Sequence, residues 1–164
     1  MMGSDDLAIR AAQVLSHLEA MGIKAATAES CTGGMVAAAL TAIAGSSSVV
    51  DRGFVTYSNE AKAEMLGVPA DLILRHGAVS EAVARAMAEG ALAHSHAQIA
   101  VAITGIAGPG GGLADKPVGL VHFACAATGQ PTRHQALVFP GDRAAVRLAA
   151  AMTALDMLLP PPPI

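Results

Sequence analysis

Apolar positions recur at helical spacing over residues 6–21, where Leu7, Ala11, Val14, Leu15, Leu18 and Met21 share one face and Gly22 follows as a stop. Ile23 to Ala28 drops that period and is mostly apolar, which predicts a short strand. A polar, glycine-rich turn, Glu29-Ser-Cys-Thr-Gly-Gly34, then leads into a second helical pattern through Met35, Val36, Ala39, Leu40 and Ile43. Gly45 to Ser48 breaks the chain before a strand over Val49–Thr56, and Tyr57 falls at its end. Ser58-Asn59-Glu60 signals a helix start with Asn59 as the N-cap, placing Ala61, Lys62 and Glu64 in a short helix closed by Gly67 and Pro69.

A further helix opens at Ser80-Glu81 and carries Val83, Ala84, Met87, Ala91 and Leu92. Ile99–Ile103 reads as a buried strand entering the loop Thr104–Gly112, and two more strands are predicted at Val118–Ala126 and Gln135–Phe139. Asp142 begins a last helix with Ala145, Leu148, Ala149, Met152, Leu155 and Leu159 on one face. Pro160–Ile164 cannot continue it and is expected to be disordered. Helices alternate with strands early, and strands crowd together late. That order predicts an α/β fold, a three-layer α/β/α sandwich with a mixed central sheet, as one domain over 1–164 with its core at about 7–158.

Composition narrows the partners. Ten Lys and Arg stand against 13 Asp and Glu, for a net charge of −3, and no basic run offers the footprint that nucleic acid requires. Cys31 and Cys125 are too few for a disulfide framework. No signal-peptide pattern opens the chain and no apolar run reaches about 18 residues, so a cytosolic protein without membrane contact is expected. The many small apolar residues fit a homo-oligomer, specifically a dimer.

The candidate chemistry gathers at strand ends. Ser30 follows a strand and precedes a glycine-rich helix start, where free N–H groups of a first turn can bind an oxyanion. The same position also suits Ser30 or Thr32 as a plain helix cap. A serine needs a base, and Lys62 can serve if burial and a helix N-terminus favour its neutral amine; otherwise it is a surface lysine pairing with Glu60 or Glu64. Tyr57 could relay a proton between the two or donate to substrate; simple packing is the alternative. Five glycines in Thr104–Gly112 let backbone approach a ligand closely, although their spacing matches neither a Walker loop nor a dinucleotide fingerprint. Arg143, after Gly141-Asp142, could hold a phosphate. The six histidines include no HExxH pair, so no metal role is expected of them. Cys31 is a rival nucleophile without an evident His partner.

The wording of seven segments is specific: Thr27-Ala-Glu-Ser-Cys-Thr-Gly-Gly34, Gly45-Ser-Ser47, Val55-Thr-Tyr-Ser-Asn-Glu-Ala-Lys62, His76-Gly-Ala-Val-Ser-Glu81, Thr104-Gly-Ile-Ala-Gly-Pro109, Lys116-Pro-Val-Gly119 and Gly141-Asp-Arg143. In this order they resemble the CinA C-terminal domain family, the nicotinamide-nucleotide amidohydrolases, over about residues 7–158. The resemblance implies hydrolysis of nicotinamide mononucleotide to nicotinate mononucleotide and ammonia, in pyridine-nucleotide recycling, without metal or cofactor. It implies Ser30, Lys62 and Tyr57 as catalytic residues. Thr32, Gly33, Ser47, Thr104, Gly105, Gly108 and Arg143 are implied on the substrate side. Relatives often carry an N-terminal molybdopterin-binding-like domain that this sequence lacks, so a stand-alone form is expected, and a dimer is implied. The alternative is a catalytically silent module of the same fold that binds a nucleotide or a partner.

Overall fold

The computed structural model describes residues 2–160; of the segment expected to be disordered, 161–164 lie outside that range. A five-stranded sheet runs in the order β2-β1-β3-β4-β5. Its strands are β1 (Ala25–Glu29), β2 (Val50–Val55), β3 (Ile99–Gly105), β4 (Leu120–Ala127) and β5 (Arg133–Val138). β1 pairs in parallel with both β2 and β3, whereas β3-β4 and β4-β5 are antiparallel, so the sheet is mixed as expected.

Helices α1 (Ser4–Met21), α2 (Met35–Thr41) and α6 (Arg143–Met157) cover one face. Helices α3 (Asn59–Leu66), α4 (Ala70–His76) and α5 (Glu81–Ala93) cover the other. The period-two alternation of the strands sends different sizes to the two faces. Val101, Ile103, Val121, Phe123 and Cys125 meet Val14, Leu18, Leu40 and Leu155 of the first helical layer. Opposite, Ala26, Ala28, Ala100, Ala102, Ala124 and Ala126 meet Val83, Ala84, Met87, Ala88 and Ala91 of α5. Where α5 passes the end of α3, a side chain at Gly90 would run into the Leu66 carbonyl.

Three details differ from the sequence reading. Ser58, rather than Asn59, caps α3, its side chain accepting from the Ala61 N–H. α4 was not foreseen, because seven residues with Ile73 as the one buried position give too short a stripe. The buried face of α6 runs through Val146, Ala150, Ala154 and Met157 while Ala145 is exposed, since a helix apolar on most sides leaves its rotation to the packing. Among the described residues, no helix is long and apolar enough to cross a membrane.

The topology sets the place of a site. From β1 the chain moves outward through α2 to β2, then returns through α3, α4 and α5 to β3 on the other side of β1. Segments leaving β1 and β3 therefore diverge, and a crevice opens at their carboxyl ends.

Candidate active site

That crevice is a cleft of about 270 Å³ lined by Ser30 and Cys31 after β1, Tyr57, Asn59 and Lys62 around the start of α3, Ala78 and Val79 before α5, residues of the 104–111 loop, and Arg143. Ser30 is pinned to the sheet, its N–H donating to the Ile103 carbonyl at 3.0 Å. Lys62 reaches the serine from α3: its Nζ lies 3.2 Å from Ser30 Oγ, 3.0 Å from the Thr56 carbonyl and 3.4 Å from the Tyr57 carbonyl.

Lys62 is 1% exposed and forms no ion pair among the described residues. The expected surface alternative, pairing with Glu60 or Glu64, is not what the fold builds. Burial holds its pKa below the ordinary lysine value of 10.5. The three partners also suit an uncharged amine. In the uncharged form its two N–H groups can go to the two carbonyls, which can only accept, and its lone pair can meet the Ser30 hydroxyl, which can donate as well as accept. A neutral amine so placed can take the serine's proton. The Cys31 thiol, by contrast, is pushed up to about 11 by burial, which removes it as a rival nucleophile near neutral pH.

The tyrosine hydroxyl does not stand between the pair. Tyr57 is 64% exposed, and its Oη accepts from Arg143 Nη2 at 3.1 Å. Arg143 Nη1 donates to the Gly108 carbonyl at 2.8 Å, so the guanidinium links the tyrosine side of the cleft to the glycine loop. Each outer nitrogen of Arg143 carries a second N–H, so a phosphate can engage both with these partners in place. Around it, the N–H groups of Ala107, Gly108, Gly110 and Gly111 have no acceptor among the described residues, which leaves them free for an anion. Thr104 lines the cleft, but its hydroxyl donates to the Ala78 carbonyl at 2.8 Å and ties the 77–80 segment to β3. Gly105 lines the cleft beside it.

Three expected ligand-side residues do not line the cleft. Ser47 sits in a 3-10 turn, Ser46–Ser48, ahead of β2. It is thus at the far end of the strands from Ser30, about 16 Å away at ~3.3 Å per residue of β1. Thr32 is fully buried, and its Oγ1 donates to Glu29 Oε1 at 2.7 Å instead of facing the cleft. Gly33 shapes the turn rather than lining it: φ is +59°, its N–H donates to the Ser30 carbonyl, and a Cβ there would sit 3.3 Å from Arg147 Nη2.

The oxyanion expectation needs a correction of detail. First-turn N–H groups of α2 are not free, because Glu29, 0% exposed, takes those of Val36 at 2.9 Å and Ala37 at 3.0 Å. The N–H groups without an oxygen acceptor among the described residues are those of Cys31, Thr32 and Gly34, one step earlier. Glu29 and Arg147 were both missed in the sequence. A carboxylate ending an otherwise apolar strand was the available signal for the first, since a charge buried there needs several donors. Arg147 carried a weaker one: it follows Arg143 by four residues and so lies on the same helix face. Among the described residues, no group of three or more His, Cys, Asp or Glu is placed to hold a metal.

Comparison with known proteins adds the family. The model of the CinA C-terminal domain matches residues 8–160. The chain belongs to the CinA C-terminal domain family. A CinA-like protein of Akkermansia muciniphila is 52% identical over 146 residues, covering 89% of this chain but 35% of its own length. The chain thus spans about a third of the length of the curated relatives it matches. Among solved structures, the competence/damage inducible protein CihA of Agrobacterium tumefaciens superposes with a TM-score of 0.91 at 50% identity, covering 96% of this chain and 95% of that one. A CinA superfamily protein of Escherichia coli gives 0.90 at 37% identity, with 96% and 91% covered. This CinA-type fold holds the serine, lysine, arginine and glycine loop around one cleft.

Proposed function

We infer that the chain is a cytoplasmic amidohydrolase that converts nicotinamide mononucleotide to nicotinate mononucleotide and ammonia. The observation that carries this reading is the buried Lys62 amine, 3.2 Å from Ser30 Oγ and unpaired with a carboxylate among the described residues. In the reaction, Lys62 takes the serine proton as Ser30 Oγ attacks the carboxamide carbon. The developing oxyanion is held by N–H groups of the 31–34 turn, and Lys62 returns the proton to the nitrogen as ammonia leaves. Water, deprotonated by the same amine, then cleaves the acyl ester and frees the carboxylate. Arg143 and the free N–H groups of residues 107–111 form a phosphate seat at the other end of the cleft, which favours a mononucleotide over the free base. Tyr57 acts at that seat, through Arg143, rather than on the proton path.

The test is ammonia release from the mononucleotide by the wild type and by folded Ser30→Ala and Lys62→Ala variants, with nicotinamide and its riboside as substrates lacking phosphate. Turnover that both variants lose, and that falls with the phosphate-free substrates, is the expected result. A pure, folded wild type that binds the mononucleotide without releasing ammonia would overturn the assignment in favour of a binding module.

A further inference from the structure

Arg147 lies one helical turn beyond Arg143 on α6, yet it does not line the cleft. Its Nε donates to the Cys31 carbonyl at 3.0 Å and its Nη2 to the Thr32 carbonyl at 3.2 Å. These two carbonyls belong to the turn that carries Ser30. Because a peptide is planar and trans, the carbonyl of one residue and the N–H of the next point in opposite directions. Fixing the Cys31 carbonyl on Arg147 therefore fixes the Thr32 N–H pointing away from α6. The preceding peptide is fixed as well: the Ser30 carbonyl accepts from the Gly33 N–H at 3.0 Å, which sets the direction of the Cys31 N–H. The two peptides whose N–H groups are free of oxygen acceptors just after Ser30 are thus held by their carbonyls.

Gly33 supplies an independent sign that the guanidinium is built into the turn, since a side chain there would press on Arg147 Nη2. On the opposite side Glu29 takes the Thr32 hydroxyl and the first N–H groups of α2. The turn is therefore gripped by a carboxylate holding donors and a guanidinium holding acceptors. We propose that Arg147 is a positioning residue that orients the Thr32 N–H directly, and the Cys31 N–H through the Gly33 N–H that holds the Ser30 carbonyl, as oxyanion donors for the reaction at Ser30. This rests on the reading of Ser30 as the nucleophile. One helix then divides two tasks, with Arg143 holding the substrate and Arg147 aiming the backbone that meets its reacting carbonyl.

The test uses a probe that needs no assumption about the natural substrate. A fluorophosphonate reacts at an activated serine: the serine oxygen bonds to phosphorus, the P–F bond breaks, the serine proton passes to Lys62 and fluoride leaves, while the phosphoryl oxygen occupies the oxyanion position. Labelling of Ser30, located by peptide mass spectrometry, is timed for the wild type, Arg147→Ala and Arg147→Lys, with thermal melts alongside. The expected result is labelling about 10²-fold slower in Arg147→Ala, the loss typical of a disabled oxyanion donor, with partial recovery in sub-denaturing guanidinium. Arg147→Lys keeps the charge but not the fork and is expected to stay slow, which also serves if the alanine variant does not fold. With the mononucleotide, the loss should fall on kcat and leave KM near that of the wild type. Folded variants that label at the wild-type rate overturn the inference while leaving Ser30 as nucleophile; a slow alanine variant that guanidinium does not restore overturns it too. A wild type that is not labelled at Ser30 overturns the nucleophile reading itself.

Discussion

Replacing Lys62 by Met tests whether the amine is neutral in the fold. The substitution keeps most of the stem, removes the titrating group and leaves the Thr56 and Tyr57 carbonyls without their Nζ donor. Losing that donor costs about 1–3 kcal/mol per stranded acceptor, but this cost does not vary with pH. What varies is proton linkage. The folded pKa of Lys62 is depressed by burial, so between that value and the ordinary 10.5 the unfolded chain holds a proton that the native chain lacks. In that window wild-type stability rises with pH by up to about 1.4 kcal/mol per unit, and the full penalty is present below the folded pKa. Lys62→Met lacks this slope.

The assay is urea unfolding of both proteins in parallel from neutral to alkaline pH, reading the difference in unfolding free energy so that all other titrations cancel. The expected difference shifts steadily in favour of the wild type as pH climbs toward 10.5 and is flat above it. The catalytic rate of the wild type should rise over the lower part of the same range as the amine loses its proton. A stability difference independent of pH, or a rate that first rises at or above the ordinary lysine value, would refute a neutral Lys62.

Three further outcomes are expected. Glu29→Ala strands the Thr32 hydroxyl and the Val36 and Ala37 N–H groups in the core, and should lower stability by about 3 kcal/mol or more in urea titrations; a loss below about 1 kcal/mol would mean that water replaces the carboxylate there. Cys31→Ala should keep wild-type-order turnover, and iodoacetamide at neutral pH should leave Cys31 unmodified, because burial holds the thiol at about 11. His122 Nδ1 lies 2.9 Å from His134 Nε2, and burial holds both rings below the ordinary 6.5, so stability should drop as pH falls below 6.5; His122→Gln should flatten that drop, as melts across the acid range would show.

Much of this was legible in residue order, for reasons that differ by element. α1 and α5 carry buried stripes long enough to set their own rotation, and β1 and β3 are short apolar runs between turn residues. The rotation of α6 was not legible, since alanine all round makes several faces nearly equal until packing selects one. Ser30 and Lys62 were recoverable because their segments are distinctive and each lies at an element boundary. That the lysine is buried beside Ser30 depends on the whole fold, the two being separated by 32 positions. Arg147 was harder still: its partners lie 116 and 115 positions away, and within α6 it looks like any solvated polar residue. Ser47 is the opposite case, a motif residue whose place in the chain gave no hint that the sheet would set it far from this cleft.

The six alanines that face α5 impose unequal freedom to vary on the two sides of the molecule. Alanine has no χ1 choice, so the sheet side of that layer has nothing that can turn aside for a newcomer, and Ala100→Val would press on α5 at a cost of about 1–3 kcal/mol. Leucine, valine, phenylalanine and methionine on the other face can exchange volume among themselves for less than about 1.5 kcal/mol. Natural or directed variation should therefore accumulate under α1, α2 and α6. The thin side, which bears α3 with Lys62 and the 77–80 segment before α5, thereby keeps its distance from the sheet, and the reach from lysine to serine becomes a dimension of the scaffold.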